Sequence, residues 1–149
     1  MSKQWQSVRY GSADFREAYG ACWSSADEEL FRSFFSKDVL YIDGGNHRSF
    51  QGIDEALSFF KSMLAFSPDS KIEFTRLTGD RQGFAAEWTW SGTAAGKLLL
   101  DGIVYPRTDR RFSVDGVAFC MVDEAGLVTY HKDYYDMRLV LKQLGLFAM

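Results

Sequence analysis

Pro68 separates two hydrophobic periodicities, and the switch between them limits the folds open to this chain. Before it, apolar residues recur at helical spacing. Phe15, Ala18, Tyr19, Cys22 and Trp23 share one face of a helix predicted from Ala13 to Ser24, with Ser12 as its candidate N-cap. Ser25-Ala26-Asp27-Glu28 fits a capping box, and Leu30, Phe31, Phe34 and Phe35 predict a short second helix. Val39 to Ile42 reads as a short strand ending at the turn signal Asp43-Gly44-Gly45, and Ile53, Leu57, Phe60 and Leu64 predict a third helix that stops before Pro68. Beyond Pro68 the period falls to two. Strands are predicted at Lys71 to Thr78, Phe84 to Ser91, Leu98 to Val104, Phe112 to Val122 and Leu127 to Tyr135. Gly79-Asp80-Arg81-Gln82-Gly83 and Asp123-Glu124-Ala125-Gly126 read as hairpin turns, so consecutive strands are expected to pair as an antiparallel meander. Met137, Val140, Leu141 and Leu144 predict a short closing helix, capped by Asp136 and stopped by Gly145. The expected class is α+β: a curled antiparallel sheet forming a cone closed by three N-terminal helices, with a short C-terminal helix and a conical cavity inside.

No repeat, low-complexity tract or linker divides the 149 residues, so a single domain over 1–149 is expected, burying roughly two-thirds of its unfolded surface. A net charge of -3 with both signs interspersed gives no footprint for a phosphate backbone, so no nucleic-acid partner is expected. Apolar runs such as Leu98 to Leu100 are far below a membrane span, and Met1 to Gln6 lacks the apolar run of a signal peptide. The expectation is a cytoplasmic protein with no membrane partner. Cys22 and Cys120 fall on regular elements without metal-like spacing and read as core thiols, with a disulfide as the minor alternative.

The segment from His131 to Asp136 places ionisable side chains on a strand that should belong to the core. Thr129, His131, Asp133 and Tyr135 share one face, and a carboxylate buried there without partners would be costly. His131 lies within reach of Asp133 or of a substrate oxygen, and its neutral imidazole could orient the one or polarise the other. A purely structural role for either residue is the alternative. His47, His131 and scattered carboxylates show no metal-ligand spacing, so neither a metal nor a cofactor is expected. Trp88 and Trp90 share a face with Phe84 and Ala86, and either wall an apolar pocket or simply fill the core.

The element order, together with Trp88 to Thr93, Arg110 to Phe119 and His131 to Gly145, resembles the SnoaL-like polyketide cyclases of the nuclear-transport-factor-like cone superfamily. The resemblance covers about Asp14 to Leu144 and implies the cone fold, a homodimer and an apolar small-molecule ligand. It also implies that Asp133 supplies the acid/base carboxylate, since a carboxyl in an apolar cone can both accept and return a proton. In the similar ketosteroid isomerases the first helix supplies an oxyanion-binding Tyr and the first strand ends in an Asp base, positions matched by Tyr19 and Asp43. Their bland reading is a core tyrosine and a turn residue. The second oxyanion acid of those enzymes would fall at about Val117, which cannot donate; Asp115, one same-face step away, substitutes only if the register shifts. Asp115, Val117 and Tyr135 are therefore expected, with Trp88 and Trp90, on the substrate-binding wall. Limonene-type epoxide hydrolysis needs an Arg two residues before a central Asp, and none precedes Asp101. The expected function is acid/base chemistry, ring closure or isomerisation, on an apolar carbonyl compound; the alternative is a non-enzymatic ligand-binding or interaction module of the same fold. An open, aromatic-walled cavity with His131 and Asp133 in mutual reach would favour catalysis, and a solidly packed cone the interaction module.

Overall fold

The computed structural model describes residues 8–146, so the segment Met1 to Gln6 lies outside the described residues. The elements, in chain order, are α1 (Phe15–Ser24), α2 (Glu28–Ser33), β1 (Phe35–Asp43), β2 (Arg48–Gln51), α3 (Ile53–Phe66), β3 (Lys71–Asp80), β4 (Gly83–Thr93), β5 (Leu98–Leu100), β6 (Ile103–Tyr105), β7 (Arg111–Val122), β8 (Val128–Tyr134) and α4 (Met137–Gln143). The α+β class and the closing helix stand as expected. Asp136 caps α4 by accepting from the Arg138 N–H, and Gly145 follows the helix at φ 75°, the left-handed geometry that ends helices. At α2 the cap moves to Asp27, whose carboxylate accepts from the Leu30 N–H, while Ser25 bonds the Asp27 N–H instead. At α1 the N-cap position is Asp14 and not Ser12, and its side chain makes no cap bond.

Six strands form one sheet in the order β2-β1-β8-β7-β4-β3. It is mixed and not purely antiparallel: β1 runs parallel to β8, the last strand of the meander. The reason is topological. After the antiparallel steps β3 to β4, β4 to β7 and β7 to β8, the chain's first strand occupies the remaining edge of β8 and pairs in its direction. A hairpin partner, β2, then follows β1 through Gly44 to His47 and antiparallel pairing of Asp43 with Arg48.

The stretch Leu98 to Val104 also departs from the single strand expected of it. Asp101 and Gly102 both take positive φ, 51° and 78°, the two-residue turn whose twist matches a hairpin. The run therefore folds on itself as β5 and β6, a separate two-stranded sheet. Leu98 and Leu100 pack against the core while Leu99 and Val104 face outward, 58% and 59% exposed.

The core fills the concave side of the sheet. Trp23 from α1 meets Phe31 edge-on at 5.1 Å, and Phe31 stacks on Phe60 of α3 at 4.5 Å, so three helices and the strand faces share one aromatic cluster. Inward residues of β4 and β7 obey the period of two: Phe84, Ala86, Trp88 and Trp90 on one, Phe112, Val114, Ala118 and Cys120 on the other. Gly116 takes the inward position opposite Trp88, and a Cβ there would meet the Trp88 indole and the Tyr134 carbonyl. Gly116→Ala is accordingly expected to force the indole off its seat and destabilise the fold by about 1–3 kcal/mol, readable by urea denaturation.

Candidate active site

The parallel pairing of β1 and β8 aligns Tyr41 with His131 and Asp43 with Asp133, so four polar side chains rise from adjacent strands towards the concave side. On the other flank of β8, the small residues Ala118 and Cys120 of β7 stand opposite Asp133 and His131, which leaves room for them. All four are almost wholly buried, Asp133 most open at 7%.

Asp133 collects three donors. Trp88 Nε1 donates to Oδ1 at 3.0 Å, His131 Nε2 lies 2.7 Å from the same oxygen, and the Tyr41 hydroxyl donates to Oδ2 at 2.6 Å. Burial by itself would push the imidazole of His131 towards neutrality, but the Asp133 carboxylate outweighs it and raises the pKa from 6.5 to about 10. The shift favours the imidazolium over the neutral imidazole expected from the sequence. On the other side of the ring, Nδ1 lies 2.7 Å from the Tyr19 hydroxyl and 3.4 Å from Cys120 Sγ. Cys22 and Cys120 are both free and buried, and burial pushes their thiols up.

Asp43 has a separate set of partners. The Tyr135 hydroxyl donates to Oδ1 at 2.7 Å, the Gly45 N–H to the same oxygen at 3.2 Å, and Asn46 Nδ2 to Oδ2 at 2.9 Å. Burial raises its carboxyl above its ordinary value, the Tyr135 and Asn46 bonds oppose that rise, and the nearby Asp133 adds to it.

Asp133 and Asp43 line a cavity of about 360 Å³. Its walls are largely aromatic and aliphatic, including Trp23, Phe50, Phe59, Trp88 and Trp90, and Leu98 to Leu100 of the small hairpin also line it. Asp133, Tyr41, Asp43, Asn46 and Tyr135 all contribute to the lining. A mostly apolar concavity with a few convergent polar groups is the usual form of a small-molecule site. The interior of the cone thus holds a cavity. Among the described residues no group of three or more His, Cys, Asp or Glu side chains is arranged to hold a metal ion, and no helix is long and apolar enough to cross a membrane.

The structure brings Asp133, Asp43, Trp88, Trp90 and Tyr135 together on the cavity wall. Tyr19 and His131 stand behind that wall: Tyr19 is wholly buried against the far side of the imidazole, and neither residue lines the cavity. Asp115 and Val117 are absent from it as well. They occupy the odd-numbered, outer face of β7, where Asp115 accepts from Thr89 Oγ1 at 2.7 Å and Val117 is 38% exposed. The parity of the strand decides this, since Phe112, Val114 and Ala118 already take the inner face. Sequence reasoning missed Tyr41 and Asn46. Tyr41 was within reach of the same parity argument, for it sits one same-face step before Asp43 on β1.

A mixed sheet packed against helices, with polar groups among the lining of a largely apolar cavity, makes an α+β cone. The family model of the SnoaL-like polyketide cyclases matches residues 13–144, and the chain belongs to that family. Solved structures with the same fold include a ketosteroid isomerase-like protein from Catenulispora acidiphila in complex with trimethylamine, at TM-score 0.75 and 18% identity over 91% of this chain and 95% of that one. IdmH from Streptomyces antibioticus, to which a polyketide cyclase role has been ascribed, aligns at TM-score 0.72 and 20% identity over 89% of this chain and 97% of its own. AclR from Streptomyces galilaeus, ascribed a hydroxylase role, aligns at 0.71 and 22% identity over 93% and 85% of the two chains. A search of curated proteins finds no match.

Proposed function

We propose that this chain is an acid/base enzyme that needs no cofactor and acts on an apolar carbonyl compound, closing a ring by aldol addition or shifting a double bond. The observation that carries this reading is the Asp133 carboxylate, held by three donors and lining an aromatic-walled cavity. His131 and Trp88 fix Oδ1, so Oδ2, whose partner Tyr41 lines the cavity, is the oxygen that meets substrate. Asp133 removes a proton beside the carbonyl. As the charge leaves Asp133 for the enolate oxygen, the better acceptor for the Tyr41 hydroxyl becomes that oxygen, and Tyr41 takes the role first considered for Tyr19. Tyr19 and His131 act one step removed, as positioning residues that orient Asp133. The enolate then attacks a second carbonyl or is reprotonated at another carbon, and Asp133 returns the proton.

The test is hydrogen exchange. In D2O the protein is expected to accelerate deuterium entry beside the carbonyl of an apolar bicyclic ketone such as 2-tetralone, above a heat-denatured control; equal rates would overturn the reading.

The outer face of the sheet supports a second expectation. Phe119 is 47% exposed and Tyr134 50% exposed on β7 and β8, beside the exposed Val117. We propose that a second copy of the chain covers this apolar face. Light scattering is expected to return twice the 17.0 kDa chain mass, with Phe119→Lys shifting it towards the monomer. A monomer at high protein concentration would contradict the dimer.

A further inference from the structure

Two carboxylates stand side by side in this cavity, and their surroundings differ. Asp43 and Asp133 are register partners across the parallel pair. Each takes a tyrosine from the other's segment: Tyr41, two residues before Asp43, donates to Asp133, and Tyr135, two residues after Asp133, donates to Asp43. All four line the cavity. The symmetry stops there. Asp133 is backed by the buried His131 ring, Nε2 at 2.7 Å, and by the Trp88 indole, while the further partners of Asp43 are the Asn46 amide and the Gly45 N–H.

We infer that the pair works as a base and an acid, Asp133 and Asp43, and that the site eliminates water from a β-hydroxy carbonyl compound. That compound is the product class of an aldol closure, so the inference rests on the function proposed above and extends it. Asp133 removes the proton on the carbon between the carbonyl and the hydroxyl-bearing carbon. The C–H electrons become the new C=C bond, and the C–O bond breaks. The departing hydroxyl takes the Tyr135 proton and leaves as water, while Tyr135 takes the carboxyl proton of Asp43. An enone and water have formed, Asp133 is protonated and Asp43 ionised. Once product leaves, the proton passes from Asp133 back to Asp43 through solvent, and the cycle closes. The observed bond, with Tyr135 donating to Asp43, is the arrangement that follows transfer. Burial, which raises the Asp43 carboxyl, favours reloading it with a proton. Since both carboxylates stand on one wall, proton and hydroxyl leave from the same face of the substrate.

Incubating the full chain with 4-hydroxy-4-phenylbutan-2-one in D2O reads both steps, deuteration beside the carbonyl by NMR and enone formation by ultraviolet absorbance. The wild type is expected to do both, and Asp43→Asn to lower the ratio of dehydration to deuteration by about 100-fold, the lower end of what a positioned acid contributes. Tyr135→Phe keeps Asp43 and should lower the same ratio, which guards against an Asp43→Asn chain that fails to fold. The wild-type ratio should also fall as pH rises and Asp43 empties. A ratio unchanged in both variants, or deuteration without dehydration in the wild type, would overturn the inference while leaving the base role of Asp133 standing. Absence of deuteration in the wild type would overturn that base role, and this inference with it.

Discussion

Asp133→Asn is expected to remove nearly all turnover, by a factor of at least 10²–10⁴, while the chain stays folded. The amide keeps an oxygen for Trp88 and His131 and replaces Oδ2 with a group that cannot take a proton. The Tyr41 hydroxyl, which donates to Oδ2 in the wild type, can accept from the new NH2 and need not move. His131 loses the charge that holds its proton and becomes neutral, so no buried cation is stranded. Loss of deuterium exchange with an unchanged circular dichroism spectrum is the signature of a chemical role. Full activity in this variant would end the assignment of Asp133 as the base.

His131→Gln is expected to act on stability rather than first on chemistry. Removing the imidazolium leaves the Asp133 carboxylate buried without its counter-charge, a change that costs about 3–5 kcal/mol. The loss should depend on pH with a definite sign. The folded-state pKa of His131 lies above the unfolded value, about 10 against 6.5. Its contribution is therefore fully present below about pH 6.5 and is lost as pH rises through about 10. At about 1.4 kcal/mol per unit, the wild type should lose on the order of 3–5 kcal/mol across that window. The buried thiols of Cys22 and Cys120 and the buried Tyr19 and Tyr41 also favour unfolding in alkali, because burial raises each above its ordinary value. They begin to contribute only as the unfolded groups ionise, from about pH 7.5 for the thiols and later for the tyrosines. Between about pH 6.5 and 8.5 the part of the decline that belongs to His131 is the part that should be flattened in urea denaturation of His131→Gln, since the raised Asp43 carboxyl is present in both chains. A wild-type stability that is level over that interval would mean that the imidazole is buried neutral.

The parts of this site that sequence makes legible are those governed by local periodicity. The alternation of β8 puts His131 and Asp133 on one buried face, and the Trp88 and Trp90 face of β4 follows by the same rule. Asp136 and Gly145 mark the bounds of α4 because capping chemistry is local. Where two readings of one local pattern compete, sequence falters. Leu98 to Val104 is an unbroken apolar run but for Asp101-Gly102, and that dipeptide, a hairpin signal, outweighs the run. Val117 was matched by position with a relative's residue, yet its odd number puts it on the outer face. The parallel pairing of β1 with β8 joins segments about 90 residues apart, and no local pattern encodes it. The surroundings of His131 are also set by the assembled fold, although Asp133, which raises its pKa, is on the same strand. Its burial and its Tyr19 and Cys120 partners come from α1 and β7, and these could not be read before the fold.

The central claim, that the cone is a substrate site with Asp133 at its working end, is tested most directly by a crystal structure soaked with polycyclic ketones. Density is expected inside the cavity, with a ketone oxygen in hydrogen-bond reach of Tyr41 and the adjacent carbon facing Asp133 Oδ2. Ketone bound on the outer face of the sheet, with the cone filled by its own side chains, would contradict it.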